Sequence, residues 1–416
     1  MSGFSRDQGG VAELGGTPIA KLLDQAAVST PAYLYDLDGI AEATRGLIAG
    51  FGSAAHVVAY AVKANTAGSV VRTVAAAGGG ADVVSGAELQ VALASGISPE
   101  RVVMSGVAKQ DHELDLAITR GILGIQLESV EEIARVAARA RAVGAKANVS
   151  VRVNPDVEID SHAHIATGHD EAKFGIVQND LPAAFSAIAQ HTDHLSLVGI
   201  STHVGSMLRT PASYLESAEV VCRVAKERRA AGAPLRFVDF GGGYGIDYGG
   251  APVDPPAAFA RAAVKLLGER GLSDLTLVVE PGRALVGPFG VLVASVVQGK
   301  HSGTRRFCMV DAGMNDLIRP ALYQARHRIE PLERAPGGEE WQVVGPVCES
   351  ADDFGLYALG PTLPSHVVVR DAGAYGFTMA SEYNGRGLPA EVFVRGGKVL
   401  HVSPAQSSWV QRRLDA

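Results

Sequence analysis

Ala81-Asp82-Val83-Val84-Ser85-Gly86-Ala87-Glu88-Leu89-Gln90-Val91-Ala92-Leu93-Ala94 holds a strand, a cap and a helix in one short stretch. Ala81–Val84 is a short, mostly apolar run of strand length. Ser85, followed three residues later by Glu88, is a capping box, and Ala87–Ala94 has helical periodicity. The same order returns along the chain. Strand-like runs stand at His56–Val62, Arg101–Ser105, Ile122–Leu127, Asn148–Val153, Leu197–His203, Leu235–Phe240 and Leu275–Glu280. Ser129 with Glu132 opens a second capped helix, with its periodic part at Ile133–Val143. Averaged over the run, successive strands are spaced by roughly 30 residues, the length of a βαβ unit. Eight such units in one run predict a (β/α)8 TIM-type barrel. A doubly wound open sheet is the alternative, but no G-x-G-x-x-G opens a helix after the first strand.

After Gly287 the texture changes. Val291–Val297, Phe307–Val310, Trp341–Val344, His366–Val369 and Glu391–Val394 read as strands without long helices between them. Gly337-Gly338 and Gly396-Gly397 supply turns. The fold class is therefore α/β plus all-β, with a separate C-terminal β-barrel-like domain. Tyr33–Leu37 also reads as a strand ahead of the barrel. The predicted division is 41–287 for the barrel, and 1–40 with 288–416 for the β domain.

The 416 residues suit two domains, and 47% hydrophobic with 19% charged residues suits an ordinary globular chain. With a net charge of −7 and no long basic run, no nucleic-acid partner is expected. Cys222, Cys308 and Cys348 have no metal-like spacing and an odd count, so a reducing, cytoplasmic setting is expected. No secretory signal and no 18-residue apolar stretch is read, so no membrane partner is expected. His162, His164 and His169 lack the spacing of a ligand set, and no metal is expected.

In a (β/α)8 barrel, chemistry gathers at the C-terminal ends of the strands. The polar residues there are Lys63, Asp82, Arg152, His203, the turn Gly241-Gly242-Gly243, and Glu280 with Arg283. A lysine ending an apolar strand presents a partly desolvated, nucleophilic amine; a surface lysine snorkelling from a strand end is the plainer alternative. A glycine turn after strand 7 suits a phosphate, or it simply packs. Glu280 can hold a proton on a ring nitrogen, or pair with Arg283. His203 can stack on a ring or move a proton, or be an ordinary core histidine.

These residues sit in motifs that resemble the diaminopimelate decarboxylases, within the alanine-racemase-like (fold type III) pyridoxal-phosphate enzymes. The motifs are Tyr60-Ala61-Val62-Lys63-Ala64-Asn65, Ala81-Asp82-Val83-Val84-Ser85-Gly86, Arg152-Val153-Asn154-Pro155, Lys173-Phe174-Gly175-Ile176, His203-Val204-Gly205-Ser206, the glycine turn and Glu280-Pro281-Gly282-Arg283. Toward the C-terminus they are the stretch Asp311 to Tyr323, Gly345-Pro346-Val347-Cys348-Glu349-Ser350 and Asp371-Ala372-Gly373-Ala374-Tyr375-Gly376. The resemblance implies that Lys63 holds pyridoxal 5'-phosphate. It implies a cofactor site that also includes Asp82, Arg152, His203, Ser206, Gly241, Gly242, Gly243, Glu280, Gly282, Arg283 and Tyr375. Within that site, Ser206 and the glycines take the phosphate, Glu280 the ring nitrogen and His203 the ring face. Arg283, Arg319 and Tyr323 would bind a substrate carboxylate, Glu349 the distal amine, and Tyr375 both cofactor and substrate. Lys63, Cys348 and His203 would be catalytic, Cys348 as proton donor. The implied reaction takes meso-2,6-diaminopimelate to L-lysine and CO2, the last step of lysine biosynthesis. A homodimer with shared sites is implied, Cys348 and Glu349 entering the partner's site.

Some positions depart from the family pattern. Ala284 stands where Ser is frequent, and Glu382-Tyr383-Asn384-Gly385-Arg386-Gly387 replaces Asn-Tyr-Asn-Ser-Arg-Pro. The alternatives are a decarboxylase of ornithine, arginine or a secondary-metabolism substrate, or a non-catalytic cofactor-binding regulator. Ornithine-type relatives usually carry Asp after the cysteine, where this chain has Glu349.

Overall fold

The computed structural model describes residues 3–157, 173–250, 252–406 and 408–414. The chain forms two compact units. One comprises Ala43–Ile246 and Pro252–Ala284; the other comprises Met1–Glu42, Asp247–Ala251 and Leu285–Ala416. Asp247–Ala251, which the sequence-based division put in the barrel, groups with the second unit.

In the first unit eight parallel strands close into a barrel. They are His56–Ala61, Gly80–Val83, Val102–Met104, Gly124–Leu127, Ala147–Arg152, Leu195–Ser201, Phe237–Gly242 and Thr276–Glu280. Closure pairs the eighth with the first, Leu277 opposite His56 and Val279 opposite Val58. Each observed strand lies within two residues of its predicted run at either end. The capped helices also form, at Gly86–Ala94 and Val130–Val143. Ser85 Oγ accepts the Glu88 N–H, and Ser129 Oγ that of Glu132, both at 3.2 Å. The glutamates reach one residue further back than a standard box, to the N–H of Val84 and of Glu128.

The barrel interior is a packed core. Phe237 is fully buried among Val57, Ala59, Val103, Val198 and Val278. A Cβ at Gly199 would collide with the Phe237 ring, and one at Gly124 would lie 3.0 Å from it. The two glycines are therefore the room that a large aromatic needs inside a small barrel.

The second unit is β-rich. A nine-stranded sheet runs through it, and its longest strand, Gly290–Ser302, pairs with Ala32–Asp36, Arg305–Val310 and His366–Val369. Ala32–Asp36 lies between Gly290–Ser302, antiparallel, and Ala390–Arg395, parallel. It is buried on both faces. Ala32 and Leu34 join the core of Leu14, Ile19, Leu22, Val291, Val293 and Val392. On the opposite face Tyr33 stacks on Tyr35, whose ring meets Phe393 at 5.3 Å. The strands Asp353–Ala358 and Lys398–Ser403 were not predicted; the first has one buried residue, Phe354, and the second has none.

Tyr35 donates to Glu391 Oε1 at 3.0 Å, yet burial raises that carboxyl to about 7. A group whose pKa is raised by folding stabilises the fold while protonated. Its contribution is complete below the unfolded value near 4.5 and is lost as pH rises through about 7. Glu391→Gln is expected to flatten the stability loss across that window, by up to about 3 kcal/mol. Denaturant melts of both forms from acid to neutral pH measure it; parallel curves would contradict it.

Candidate active site

Lys63 lies just past the first barrel strand, in the single 3-10 turn Val62–Ala64. Its Nζ donates to Asp82 Oδ2 at 2.7 Å. Asp82 is fully buried in the second strand, and burial raises its carboxyl against the opposing pull of Lys63. Ser105, after the third strand, donates to the other Asp82 oxygen and lies 3.5 Å from Glu280 Oε1. From the fourth strand, Gln126 Nε2 donates to Glu280 at 2.7 Å and to Asp239 at 2.9 Å. His203 Nδ1, after the sixth strand, accepts the Gly242 N–H at 3.2 Å and lies 3.6 Å from Glu280 Oε2.

Three buried carboxyls, Asp82, Asp239 and Glu280, thus sit close together at one end of the barrel. They cannot all ionise at low cost. Burial, and then the charge of Glu280, push Asp239 well above the usual range. Burial also works against Glu280, but His203, Lys63 and the hydrogen bond with Asp239 outweigh it and hold Glu280 low. Of the two neighbours, Asp239 is pushed up and Glu280 is held down.

The glycine turn closes the same mouth. Gly241 and Gly243 have φ of 72° and 92°, left-handed values that favour glycine. A Cβ at Gly241, Gly242 or Gly243 would collide with the carbonyl of Thr202, Glu280 or Gly205. The Gly241 N–H goes to Asp239 Oδ1 at 2.9 Å and that of Gly242 to His203, so two of the three glycine donors serve side chains. Past Gly282, Arg283 Nη2 donates to Ser206 Oγ at 3.1 Å. Arg152 pairs with Glu128 at 2.8 Å beneath the Phe174 ring. Glu128 also accepts the N–H groups of Gly106 and Gly175, so this pair ties the loops of the mouth together.

The remaining sequence-predicted residues belong to the β unit. Arg319 and Tyr323 share the short helix Arg319–Tyr323. The buried Arg319 guanidinium lies over the rings of Tyr248 and Tyr323, and its Nε reaches His327 at 3.4 Å. Tyr375 takes φ of 56°, unusual for a bulky residue. Cys348 and Glu349 stand on one exposed turn. His162, His164 and His169 lie outside the described residues.

Sequence reasoning missed Asp239, Gln126, Ser105 and Glu128. Asp239 and Gln126 left one signal: each is a polar residue inside a strand whose neighbours are apolar or glycine and buried.

The cofactor can be tested against the residues present. A lysine amine at a barrel mouth, an ionised carboxylate within the same network and a turn only glycine can make suit a phosphorylated pyridine aldehyde. Fold and site together define a pyridoxal-dependent decarboxylase. The family model for the pyridoxal-binding domain of these enzymes matches residues 38–287. Diaminopimelate decarboxylase of Zymomonas mobilis is 38% identical over 387 residues, covering 92% of this chain and 91% of its own. That of Pseudomonas aeruginosa is 40% identical over 384 residues, covering 90% and 89%. The crystal structure of Helicobacter pylori diaminopimelate decarboxylase complexed with L-lysine superposes with a TM-score of 0.88 at 35% identity, covering 95% of this chain and 99% of that one. The chain belongs to the diaminopimelate decarboxylase family of fold type III enzymes, and pyridoxal phosphate is its cofactor. No helix of the described residues is long and apolar enough to cross a membrane.

Proposed function

We propose that this chain decarboxylates meso-2,6-diaminopimelate to L-lysine and CO2 in the cytoplasm, as a homodimer with shared sites. The observation that carries the reading is the barrel-mouth network of Lys63, Asp82, Gln126, Asp239 and Glu280, joined by hydrogen bonds of 2.7 to 2.9 Å. Bound pyridoxal phosphate supplies an electron sink for the charge left when CO2 departs. Lys63 holds the cofactor, and Asp82 orients the lysine amine. Glu280 keeps a proton at the ring nitrogen. His203 packs against the ring. Gly243 and Ser206 take the phosphate, while Gly241 and Gly242 shape the turn.

Arg283, Arg319 and Tyr323 bind the carboxylate that survives the reaction. Glu349 binds the distal amine, Tyr375 meets both cofactor and substrate, and Cys348 gives the proton that replaces CO2. The reacting carbon loses its own carboxylate, so a second, distal one must anchor the molecule, and a guanidinium suits it. A site built for that carboxylate rejects ligands lacking it, because its charges are then left unpaired. CO2 release from meso-diaminopimelate should exceed that from L-ornithine, L-arginine and L-lysine by at least about a hundredfold in kcat/KM. Equal efficiency on ornithine would favour the related-decarboxylase reading.

A twofold axis lets one contact complete two sites at once. Mixing Lys63→Ala with Cys348→Ala protein should restore part of the activity, because some mixed dimers hold one intact site. No recovery despite demonstrated subunit exchange would mean that each chain completes its own.

A further inference from the structure

Cys348 and Glu349 are exposed, and an exposed turn does not hold two side chains still by itself. Two parts of the β unit hold this one. Beneath it, the buried Asp352 accepts the N–H groups of Met314 and Val347, both at 2.6 Å. The backbone of Asp352 is bonded to the turn as well, N–H to the Glu349 carbonyl and carbonyl to the Gly345 N–H, each at 3.1 Å. Beside it lies a short 3-10 turn, Tyr383–Gly385. Asn384 Oδ1 accepts the Cys348 N–H at 2.9 Å, and the Tyr383 hydroxyl donates to Glu349 Oε1 at 2.5 Å. Asn384 has φ of 57°, a left-handed conformation that asparagine tolerates better than most residues. Two neighbouring residues point elsewhere: Glu382 pairs with Arg412, and a Cβ at Gly385 would lie 3.3 Å from the Trp409 ring. The departures from the family pattern at 382 and 385 therefore face the helix Trp409–Leu414. The two contacts to the Cys348–Glu349 turn are made by Tyr383 and Asn384.

We infer that Tyr383 and Asn384 are positioning residues that set how Glu349 and Cys348 meet the substrate. This rests on the roles given to those two residues above. Tyr383 occupies one oxygen of Glu349 and so fixes which way the carboxylate presents the other. Asn384 pins the backbone from which the Cys348 side chain starts. Tyr383 therefore acts on substrate affinity, and Asn384 on the proton-transfer step.

Steady-state kinetics of the full-length holoenzyme with meso-diaminopimelate test this, using Tyr383→Phe, Asn384→Gly and Glu349→Gln. Glycine keeps the left-handed backbone and removes only the amide. Tyr383→Phe should raise KM about tenfold and keep kcat within about twofold, the size expected for a hydrogen bond to a charged group. The double variant Tyr383→Phe/Glu349→Gln should be no worse than Glu349→Gln alone, because both act through one contact. Asn384→Gly should lower kcat about tenfold at nearly constant KM. It should also speed iodoacetamide alkylation at Cys348, the only exposed cysteine among the three. A raised KM in Glu349→Gln with none in Tyr383→Phe would overturn the inference and leave the substrate assignment standing. Unchanged kinetics in Glu349→Gln would sink the assignment of Glu349 itself. Lower melting temperatures with wild-type kinetics and alkylation would reduce both residues to structural roles and overturn the inference.

Discussion

Lys63→Ala protein is expected to release no CO2 and to carry no covalently bound cofactor, while still folding. Its amine is paired to the buried carboxylate of Asp82. Removing one partner of a buried ion pair ordinarily costs about 3–5 kcal/mol, because a charge is stranded. Here the cost is softened twice. The Lys63 side chain is 38% exposed, so water already screens the pair. Burial already raises Asp82, which can take up a proton when the lysine is gone. Inactivity should therefore come with a near-normal melting curve. Borohydride reduction of the wild type and peptide mapping should put the cofactor label on Lys63. A label on another lysine would remove the assignment.

The second large effect separates two adjacent carboxyls. Glu280→Gln is expected to lower kcat at least about a hundredfold with cofactor content largely kept, the scale of losing one preorganised charge in an active site. Asp239→Asn is expected to cost less than about tenfold. Asp239 is held protonated by burial and by Glu280, so the neutral amide replaces a group that was already neutral. An asparagine can still accept the Gly241 N–H and donate toward Glu280, and what it gives up is the Gln126 bond that Asp239 Oδ2 accepts. The contrast follows from where one proton sits. Equal losses in the two variants would mean that Asp239 is charged in the working enzyme.

How far the sequence could be read depended on the range of the interaction. The barrel was legible because strand, cap and helix repeat locally: Ser85 and Glu88 are three residues apart and make their bonds within that distance. The residues at the mouth were legible because a lysine, a histidine and an acid at strand ends have few structural reasons to be there. Asp239 and Gln126 were not. Each looks like one polar residue in a buried strand, and only closure of the barrel brings Gln126 between Asp239 and Glu280, 113 and 154 residues away. Asn384 and Cys348 are 36 residues apart, and no periodicity links them. In the β unit, Lys398–Ser403 escaped notice because its apolar residues Val399, Leu400 and Val402 are interspersed with polar ones and none is buried, whereas its partner Ala390–Arg395 is buried over Ala390–Val394.

The strand Ala32–Asp36 has a consequence for synthesis of the chain. Its five residues leave the ribosome before any barrel strand, yet one of its two neighbours is Ala390–Arg395, made after all eight of them. The barrel can assemble as soon as its eighth strand, Thr276–Glu280, has emerged. The β unit cannot, and its long-range pairing must wait. Even once Gly290–Ser302 has covered one edge, Ala-Tyr-Leu-Tyr-Asp keeps the other open until Ala390–Arg395 is made, a template for pairing with another nascent chain. Moving this segment to follow Ser403, by circular permutation, would bring the strand and its partners out together. A permuted chain should give more soluble protein at high expression with the same barrel.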